Sequence, residues 1–161
     1  MKHTKSRNGF TLIELIIVMV ILGIMAAVAV PRYLDSISNA EEAAEDAVIS
    51  SIRAGLTQYA NNSLYSSGRA EWPTNPFDAL SEKPAGYSTD ATDADIDGEW
   101  TYVVDASDGQ FTGYISHQRA DNTRWQWSYN KGINTGTDED VTGTLYERSE
   151  LGTGGTKVLF K

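Results

Sequence analysis

Residues 9–14 read GFTLIE and are followed by the apolar run LIIVMVILGIMAAVAV at residues 15–30. Phe10–Val30 is thus a 21-residue stretch in which only Thr11 and Glu14 are polar. As one α-helix it would be about 30 Å long, which is enough to cross a lipid bilayer. The residues before it carry three Lys or Arg side chains and no acid. This basic flank predicts a cytoplasmic start and export of the rest of the chain.

A secretory signal peptide or a simple membrane anchor would also begin with a basic flank and an apolar run. Ala26, Ala27 and Ala29 offer only a weak small-residue cleavage site at the end of that run. Glu14 argues against both alternatives because a carboxylate inside a membrane segment is costly without a partner. We expect that partner to come from a neighbouring copy, as the α-amino group that a cut just before Phe10 would create.

The string Gly9-Phe10-Thr11-Leu12-Ile13-Glu14 resembles the processing site of type IV prepilins and of the related type II secretion pseudopilins. The family pattern is a short basic leader ending in glycine, then phenylalanine, a glutamate as the fifth residue after the cut, and an apolar helix. Gly23 and Pro31 match the helix-weakening residues of related filament subunits. The resemblance is specific over residues 7–31 and only architectural beyond about residue 60.

This resemblance implies that a prepilin peptidase removes residues 1–9 by cutting between Gly9 and Phe10, and then methylates the Phe10 amine. It implies that Glu14 pairs with the Phe10 amine of an adjacent subunit during assembly. The implied partners are identical subunits in a helical homopolymer, the peptidase and an assembly platform in the inner membrane. The chain would cross that membrane once and then lie in an extracellular filament. Loss of three basic residues would take its formal charge from −9 to −12.

Residues 10–31 are therefore expected to form the membrane and filament-core helix, and residues 32–61 its amphipathic continuation, which fades at Asn61-Asn62-Ser63. Pro31 lacks the N–H of a helical hydrogen bond, so a kink or local unwinding is expected between Gly23 and Pro31. Apolar residues at helical spacing predict one packed stripe, formed by Leu34, Ile37, Ala44, Val48, Ile52, Leu56 and Tyr59. The remaining faces are assigned to polar residues, namely Asp35, Asn39, Glu42, Glu45, Asp46, Arg53 and Gln58.

Residues 62–161 are predicted to form a globular head, which makes the fold class α+β: a long N-terminal helix packed on a small C-terminal antiparallel sheet. Residues 62–99 have turn composition and form the αβ-loop, pinned to the helix or sheet by Trp72, Phe77 and Leu80. Alternation predicts strands at 100–105, 110–117, 123–129, 144–147 and 156–160, with a hairpin connection at 106–109. Trp125, Trp127 and Tyr129 share one strand face, which predicts packing on the helix or, alternatively, a carbohydrate-binding platform.

The composition excludes several kinds of chemistry. The chain has no cysteine, which rules out disulfides, thiolate metal sites and thiol nucleophiles. A formal charge of −9 argues against nucleic acid as a partner of the main surface. No catalytic motif is present, and His117 is expected to be a surface or structural residue rather than a general base. We therefore expect no enzymatic activity.

An acidic segment resembles the start of a calcium loop. Asp93, Asp95 and Asp97 precede Gly98 at the Asp-x-Asp-x-Asp-Gly spacing, in which alternate carboxylates converge on a hard cation. The twelfth loop position is Val104 instead of an acid, so a complete EF-hand is rejected and only a partial calcium site is predicted. The competing interpretation is a mobile, solvated acidic loop. A second, weaker candidate site lies at residues 138–140.

Two related functions remain open at this point. The first is the major subunit of a type IV pilus, favoured by the mature length of 152 residues and the abundance of Thr, Ser and Asn. The second is a type II secretion pseudopilin, favoured by the absence of cysteine, because many type IV pilins close their carboxy-terminal region with a disulfide. A minor pilin and a membrane-anchored binding module or enzyme are the remaining alternatives.

Overall fold

The computed structural model describes residues 9–105, 112–132 and 141–151. Within these residues one α-helix, α1 (Leu12–Ser67), precedes a 3-10 turn at Pro76–Ala79. The described part of the chain then contains four strands: β1 (Trp100–Val104), β2 (Gly113–Gln118), β3 (Arg124–Asn130) and β4 (Thr144–Glu150). They form one antiparallel sheet in the order β1-β2-β3-β4. The predicted α+β class is confirmed.

The chain divides into two compact units, the first ending at Ala43 and the second beginning at Ala44. In the first unit α1 is long and apolar enough to cross a membrane, and none of that apolar window is buried. Leu12 is 76% exposed, and even Ile16 is 46% exposed. Such a large contiguous apolar surface marks an interaction with a membrane or with protein.

The helix is unbroken at Pro31. All residues from Leu12 to Ser67 are α-helical, with Pro31 inside the helix. The expected local unwinding between Gly23 and Pro31 is therefore absent from this structure. Bending at Pro31 stays a prediction.

The end of α1 differs from the expected position. The helix passes Asn61-Asn62-Ser63 and ends at Ser67. The Ser67 hydroxyl donates to the Ser63 carbonyl at 2.8 Å, a hydrogen bond within the last turn of the helix. Gly68 follows with a φ of 78°, and its N–H donates to the Leu64 carbonyl at 3.0 Å. This left-handed glycine is the helix stop.

In the second unit, the buried stripe of α1 lies beside the predicted one. Ile52 and Leu56 are buried as expected and Val48 packs partly against the core, but Tyr59 is 40% exposed. The buried positions are Glu45, Ile49, Ile52, Leu56 and Ala60. Glu45, which the sequence assigned to a polar face, is only 1% exposed.

The inner face of the sheet packs on the α1 residues of this unit and carries large rings. Trp127 is 1% exposed and Tyr129 is fully buried, and both belong to the core that contains Ile52. Packing on the helix is thereby confirmed for Trp127 and Tyr129, and these two rings cannot form the alternative carbohydrate platform because they are buried. Phe77 is fully buried in the same core, and Trp72 and Leu80 pack partly against it, as predicted for the αβ-loop.

The opposite side of the sheet, here called the outer face, is covered by residues 93–99. Ala94 is fully buried, and its N–H donates to the Ser116 hydroxyl at 3.1 Å. The N–H of Gly98 donates to the Gln118 carbonyl at 2.8 Å. The acidic segment therefore contacts the outer face through Ala94 and Gly98, while residues 95–98 are exposed to solvent.

The four described strands match the first four predicted strands to within a few residues. β4 is longer than expected because it continues through Glu150, and its pairing with β3 is irregular between Trp127 and Tyr129. The predicted hairpin at 106–109 and the predicted last strand at 156–160 lie outside the described residues.

Candidate functional site

The start of α1 brings together the residues that the sequence analysis singled out for processing and assembly. Thr11 precedes the first helical residue, and Glu14 stands in the first turn. Glu14 Oε2 accepts hydrogen bonds from the Thr11 backbone N–H at 2.8 Å and from the Thr11 hydroxyl at 2.7 Å. In return, the Glu14 N–H lies 3.3 Å from Thr11 Oγ1. These reciprocal contacts form a capping box.

The capping box corrects one step of the sequence argument. Glu14 was expected to have no partner within its own chain, yet Thr11 supplies two donors to its carboxylate. A neighbouring copy is therefore not the only means of satisfying this acid. The Thr-x-x-Glu spacing at the start of a helix is a local sequence signal that could have revealed the contact. The second oxygen, Oε1, accepts no hydrogen bond from the described residues, so it remains available to an amine.

Gly9 and Phe10 lie next to this cap. Both are exposed, and the Phe10 side chain is 92% exposed. A Cβ added to Gly9 would meet no atom within 4 Å. The fold of this chain therefore does not require glycine at position 9.

Gly23 is similarly unexplained by contacts within the chain. A Cβ added there would meet nothing within 4 Å. Glycine inside a helix costs roughly 0.5–1 kcal/mol relative to alanine. Its presence is consistent with a role between molecules or in helix bending, the role predicted for Gly23 together with Pro31.

Two of the three carboxylates proposed for calcium, those of Asp93 and Asp97, contact protein groups, whereas Asp95 is exposed. Asp93 Oδ1 accepts from the Tyr114 hydroxyl at 2.7 Å, and Asp97 Oδ1 lies 3.4 Å from Gln118 Nε2. Burial and the Asp93 hydrogen bond raise the pKa of Tyr114, which keeps its hydroxyl protonated as the donor. Within residues 9–105, 112–132 and 141–151, no three His, Cys, Asp or Glu side chains are grouped to hold a metal. The geometry thus gives no support to a calcium site at Asp93, Asp95 and Asp97. The weaker candidate at 138–140 lies outside the described residues.

A buried ionic cluster in the second unit was not anticipated. Glu45 accepts from Arg119 through two hydrogen bonds of 2.6 Å and from Arg148 Nη1 at 3.1 Å. Both guanidinium groups also lie over the Trp125 ring, 4.8 Å from its centroid. The cluster joins α1 to the sheet within this unit, which gives it a structural role.

His117 belongs to the edge of this cluster. Its ring stacks on Trp100 with the centroids 4.0 Å apart, and Nδ1 lies 2.8 Å from the Glu99 carbonyl oxygen. Because a carbonyl can only accept, Nδ1 carries the proton in this contact. Nε2 lies 3.8 Å from a Glu45 oxygen. The histidine is only 8% exposed, so its role is structural and not at the surface.

Comparison with known families identifies the start of the chain. Residues 4–30 match the family model described as a prokaryotic N-terminal methylation motif. The match covers Lys5 and Arg7 of the basic flank, the Gly9–Phe10 bond, Glu14 and the whole apolar run. It therefore coincides with the capped end of α1 and the exposed apolar surface described above.

Comparison with curated proteins extends the similarity beyond the helix. The chain is 39% identical over 106 residues to the type IV narrow pilus major component PilA5 of Thermus thermophilus, covering 65% of this chain and 84% of that protein. It is 32% identical over 116 residues to a fimbrial protein of Neisseria meningitidis serogroup A, covering 72% of this chain. It is also 36% identical over 83 residues to the type II secretion system core protein G of Pseudomonas aeruginosa, covering 51% of this chain and 55% of that protein.

Coverage differs among these relatives. The alignments span 59% of the meningococcal fimbrial protein and 44% of a type IV major pilin protein PilE1 of Neisseria gonorrhoeae. The chain thus spans less than two thirds of the length of several relatives that it matches. No solved structure matches the chain significantly.

Proposed function

This chain belongs to the type IV pilin family, and we propose that it is the structural subunit of a type IV pilus. In this proposal it polymerises through residues 10–31 into an extracellular filament after loss of its leader. Its role is structural and not enzymatic. Identical subunits, a prepilin peptidase and an inner-membrane assembly platform are its partners.

The observation that carries the proposal is the exposed apolar surface of α1. Between Leu12 and Val30, every large apolar side chain is at least 46% exposed. Burial of such surface stabilises by about 25 cal/mol per Å², so the helix needs an apolar environment outside its own chain. A lipid bilayer provides it before assembly, and the same helices of neighbouring copies provide it in a filament.

Processing at the Gly9–Phe10 bond accounts for the glycine that the fold does not need. Position 9 has open space around it, so the fold does not need glycine there. A peptidase that must approach the backbone closely would need it. In this proposal cleavage converts the Phe10 nitrogen into a free amine, which is then methylated, and the match to an N-terminal methylation motif supports this modification.

Glu14 is the proposed partner of that amine in the next subunit. Oε2 is held by Thr11, and Oε1 faces no donor among the described residues. A carboxylate has about four acceptor positions, so the cap and an incoming ammonium group can bind together. The cap thereby holds the carboxylate in one orientation for the amine.

A pseudopilin is the second candidate, favoured by the similarity to type II secretion core protein G. That alignment covers 83 residues, whereas the alignment to the meningococcal fimbrial protein covers 116. The pilus is therefore the better supported of the two functions.

The experiment is to shear surface fibres from the producing cells, image them and determine the amino terminus of their dominant polypeptide by mass spectrometry. We expect long fibres made of this chain with an N-methylated Phe10. Glu14→Val should insert into the membrane but assemble poorly, whereas Asp46→Ala, which removes an exposed acid of the same helix, should assemble normally. Fibres made of another polypeptide would overturn the pilus function. Normal fibre yield from Glu14→Val would overturn the proposed role of Glu14.

A further inference from the structure

One cation interrupts an acidic helix just beyond the apolar run. Arg32 is the only Lys or Arg between Phe10 and Ile52, a range that contains six acids. Arg32 and Asp35 are both exposed, and both lie in the first unit. Neither makes an ion pair or side-chain hydrogen bond among the described residues. The order of cation before acid along the helix is also the less favourable one for pairing within a single helix.

The axial positions of these charges match those at the start of the chain. Pairing the Phe10 amine of one copy with Glu14 of a parallel copy requires a displacement of four residues, about 6 Å along the helix. The same displacement brings Arg32 level with position 36 of the other copy, one residue from Asp35. One axial displacement of about four residues, in one direction, therefore brings both charge pairs close together.

The angular positions agree as well. If the helical path of α1 is continued back from Leu12 to Phe10, then Phe10 and Arg32 are 22 residues apart, which is six helical turns plus about 40°. Glu14 and Asp35 are 21 residues apart, which is six turns minus about 60°. Two parallel helices that pack side by side present opposite faces to each other. A positive rotation on one helix and a negative rotation on the other therefore place both side chains on the same side of the contact. Both charge pairs thus lie along one seam.

We propose that Arg32 of one subunit pairs with Asp35 of the adjacent subunit, in the same contact that joins the Phe10 amine to Glu14. This inference rests on the proposed polymerisation through α1. The pair gives acidic copies one point of attraction beyond the apolar segment, and it fixes the direction and size of their axial displacement. The binding partner of this surface is a second copy of the chain. Charge complementarity and continuity with the Phe10–Glu14 contact both favour that partner.

The first test uses the absence of native cysteine, which makes every introduced thiol unique. Arg32→Cys and Asp35→Cys chains are produced together in the native cells, and sheared filaments are oxidised with copper phenanthroline. We expect disulfide-linked dimers that contain one chain of each kind. The control combines Arg32→Cys with Asp46→Cys, since position 46 lies ten residues, about 15 Å, beyond the level of Arg32 in the adjacent copy. Intact filaments with equal dimer yields in the two mixtures would overturn the pair.

A second test keeps the inference falsifiable if the cysteine variants do not assemble. Arg32→Asp and Asp35→Arg should each lower filament yield, and the double variant should restore it. If Arg32→Asp fails and the double variant is not rescued, Arg32 acts on anionic lipid headgroups instead, and the pair is wrong. Full yield from both single variants would also overturn it. Absence of filaments from the unaltered chain would refute the proposed function itself, whereas normal filaments without cross-linking or rescue refute only this pair.

Discussion

Glu45 and Arg119 form a doubly hydrogen-bonded ion pair in the interior of the second unit. Both nitrogen–oxygen distances are 2.6 Å, and the two side chains are 1% and 4% exposed. Such a pair is stabilising only when its geometry compensates the cost of removing both charges from water. Arg148 and Trp125 supply further contacts, so the cluster fixes how α1 lies against the sheet within this unit.

The first prediction concerns this pair. Glu45→Gln removes the negative charge while keeping the shape, and it leaves Arg119 buried beside a neutral amide. We expect a loss of about 3–5 kcal/mol in the free energy of unfolding, the usual cost of breaking a buried pair. Thermal and denaturant unfolding of the full chain in mild detergent measure it.

Glu147→Gln is the matched control. Glu147 pairs with Arg53 at 3.3 Å, but the glutamate side chain is 95% exposed. Exposed pairs contribute about 0–1 kcal/mol, so this variant should unfold almost like the unaltered chain. Equal stability losses in the two variants would show that the buried pair has no special role.

This pair also shows where prediction from the sequence ends. The apolar segment of α1 and the ring-bearing strand face follow from short patterns, and both predictions are confirmed. The match to the N-terminal methylation motif confirms the family, and cleavage at Gly9–Phe10 stays a prediction. Glu45 lies among alanines and acids, which indicates a solvent-exposed face. Its burial depends on Arg119 and Arg148, which follow 74 and 103 residues later in the chain. No local pattern encodes such a contact.

The contacts of the acidic segment are also distant in sequence. The Asp-x-Asp-x-Asp-Gly spacing of residues 93–98 predicts a partial calcium site or a mobile, solvated loop, and both stay predictions. Tyr114 and Ser116, 21 and 22 residues after their partners in this segment, contact it on the outer face. The Thr11 cap is different because its signal is local.

The second prediction concerns alkaline pH. Burial raises the pKa of Tyr102 to about 12, from an ordinary value near 10. Burial also raises the pKa of Tyr129. A group whose pKa is raised in the folded state contributes stability below its unfolded pKa and loses it as the pH rises toward the folded value. We therefore expect stability to fall between about pH 10 and pH 12, as the unfolded tyrosines ionise first.

Tyr102→Phe should reduce this loss and change little at neutral pH, because the Tyr102 hydroxyl is buried without a partner among the described residues. Tyr129→Phe is the comparison, since its hydroxyl donates to the Pro73 carbonyl at 2.8 Å. This variant should be destabilised at pH 7 as well, by about 1 kcal/mol. Urea midpoints at pH 7 and pH 11 separate the two. If the loss of stability between pH 7 and pH 11 were the same in Tyr102→Phe as in the unaltered chain, ionisation of Tyr102 would not be its cause.

The third prediction concerns the capping box. Thr11→Val keeps the side-chain shape but removes the hydroxyl that contacts both the Glu14 carboxylate and the Glu14 N–H. We expect the first turn of α1 to open more often, with faster amide hydrogen exchange at Ile13 and Glu14 in detergent micelles. Thr11→Ser retains a hydroxyl and should exchange like the unaltered chain. The same rates in all three chains would mean that the cap does not stabilise the helix start.

The last prediction separates the fold from its processing. Because a Cβ at position 9 meets no atom within 4 Å, Gly9→Val should leave α1 and the sheet unchanged. The added branched side chain should still block approach of the peptidase to the Gly9–Phe10 bond, so the leader stays attached, the Phe10 amine never forms and filaments are lost. Circular dichroism in detergent and the intact mass measure the two effects separately. The control is Gly23→Ala, which also adds a Cβ in open space but lies 13 residues beyond Phe10, so it should be processed normally. Full processing of Gly9→Val, or loss of processing in Gly23→Ala, would show that cleavage is not controlled by the open backbone at Gly9.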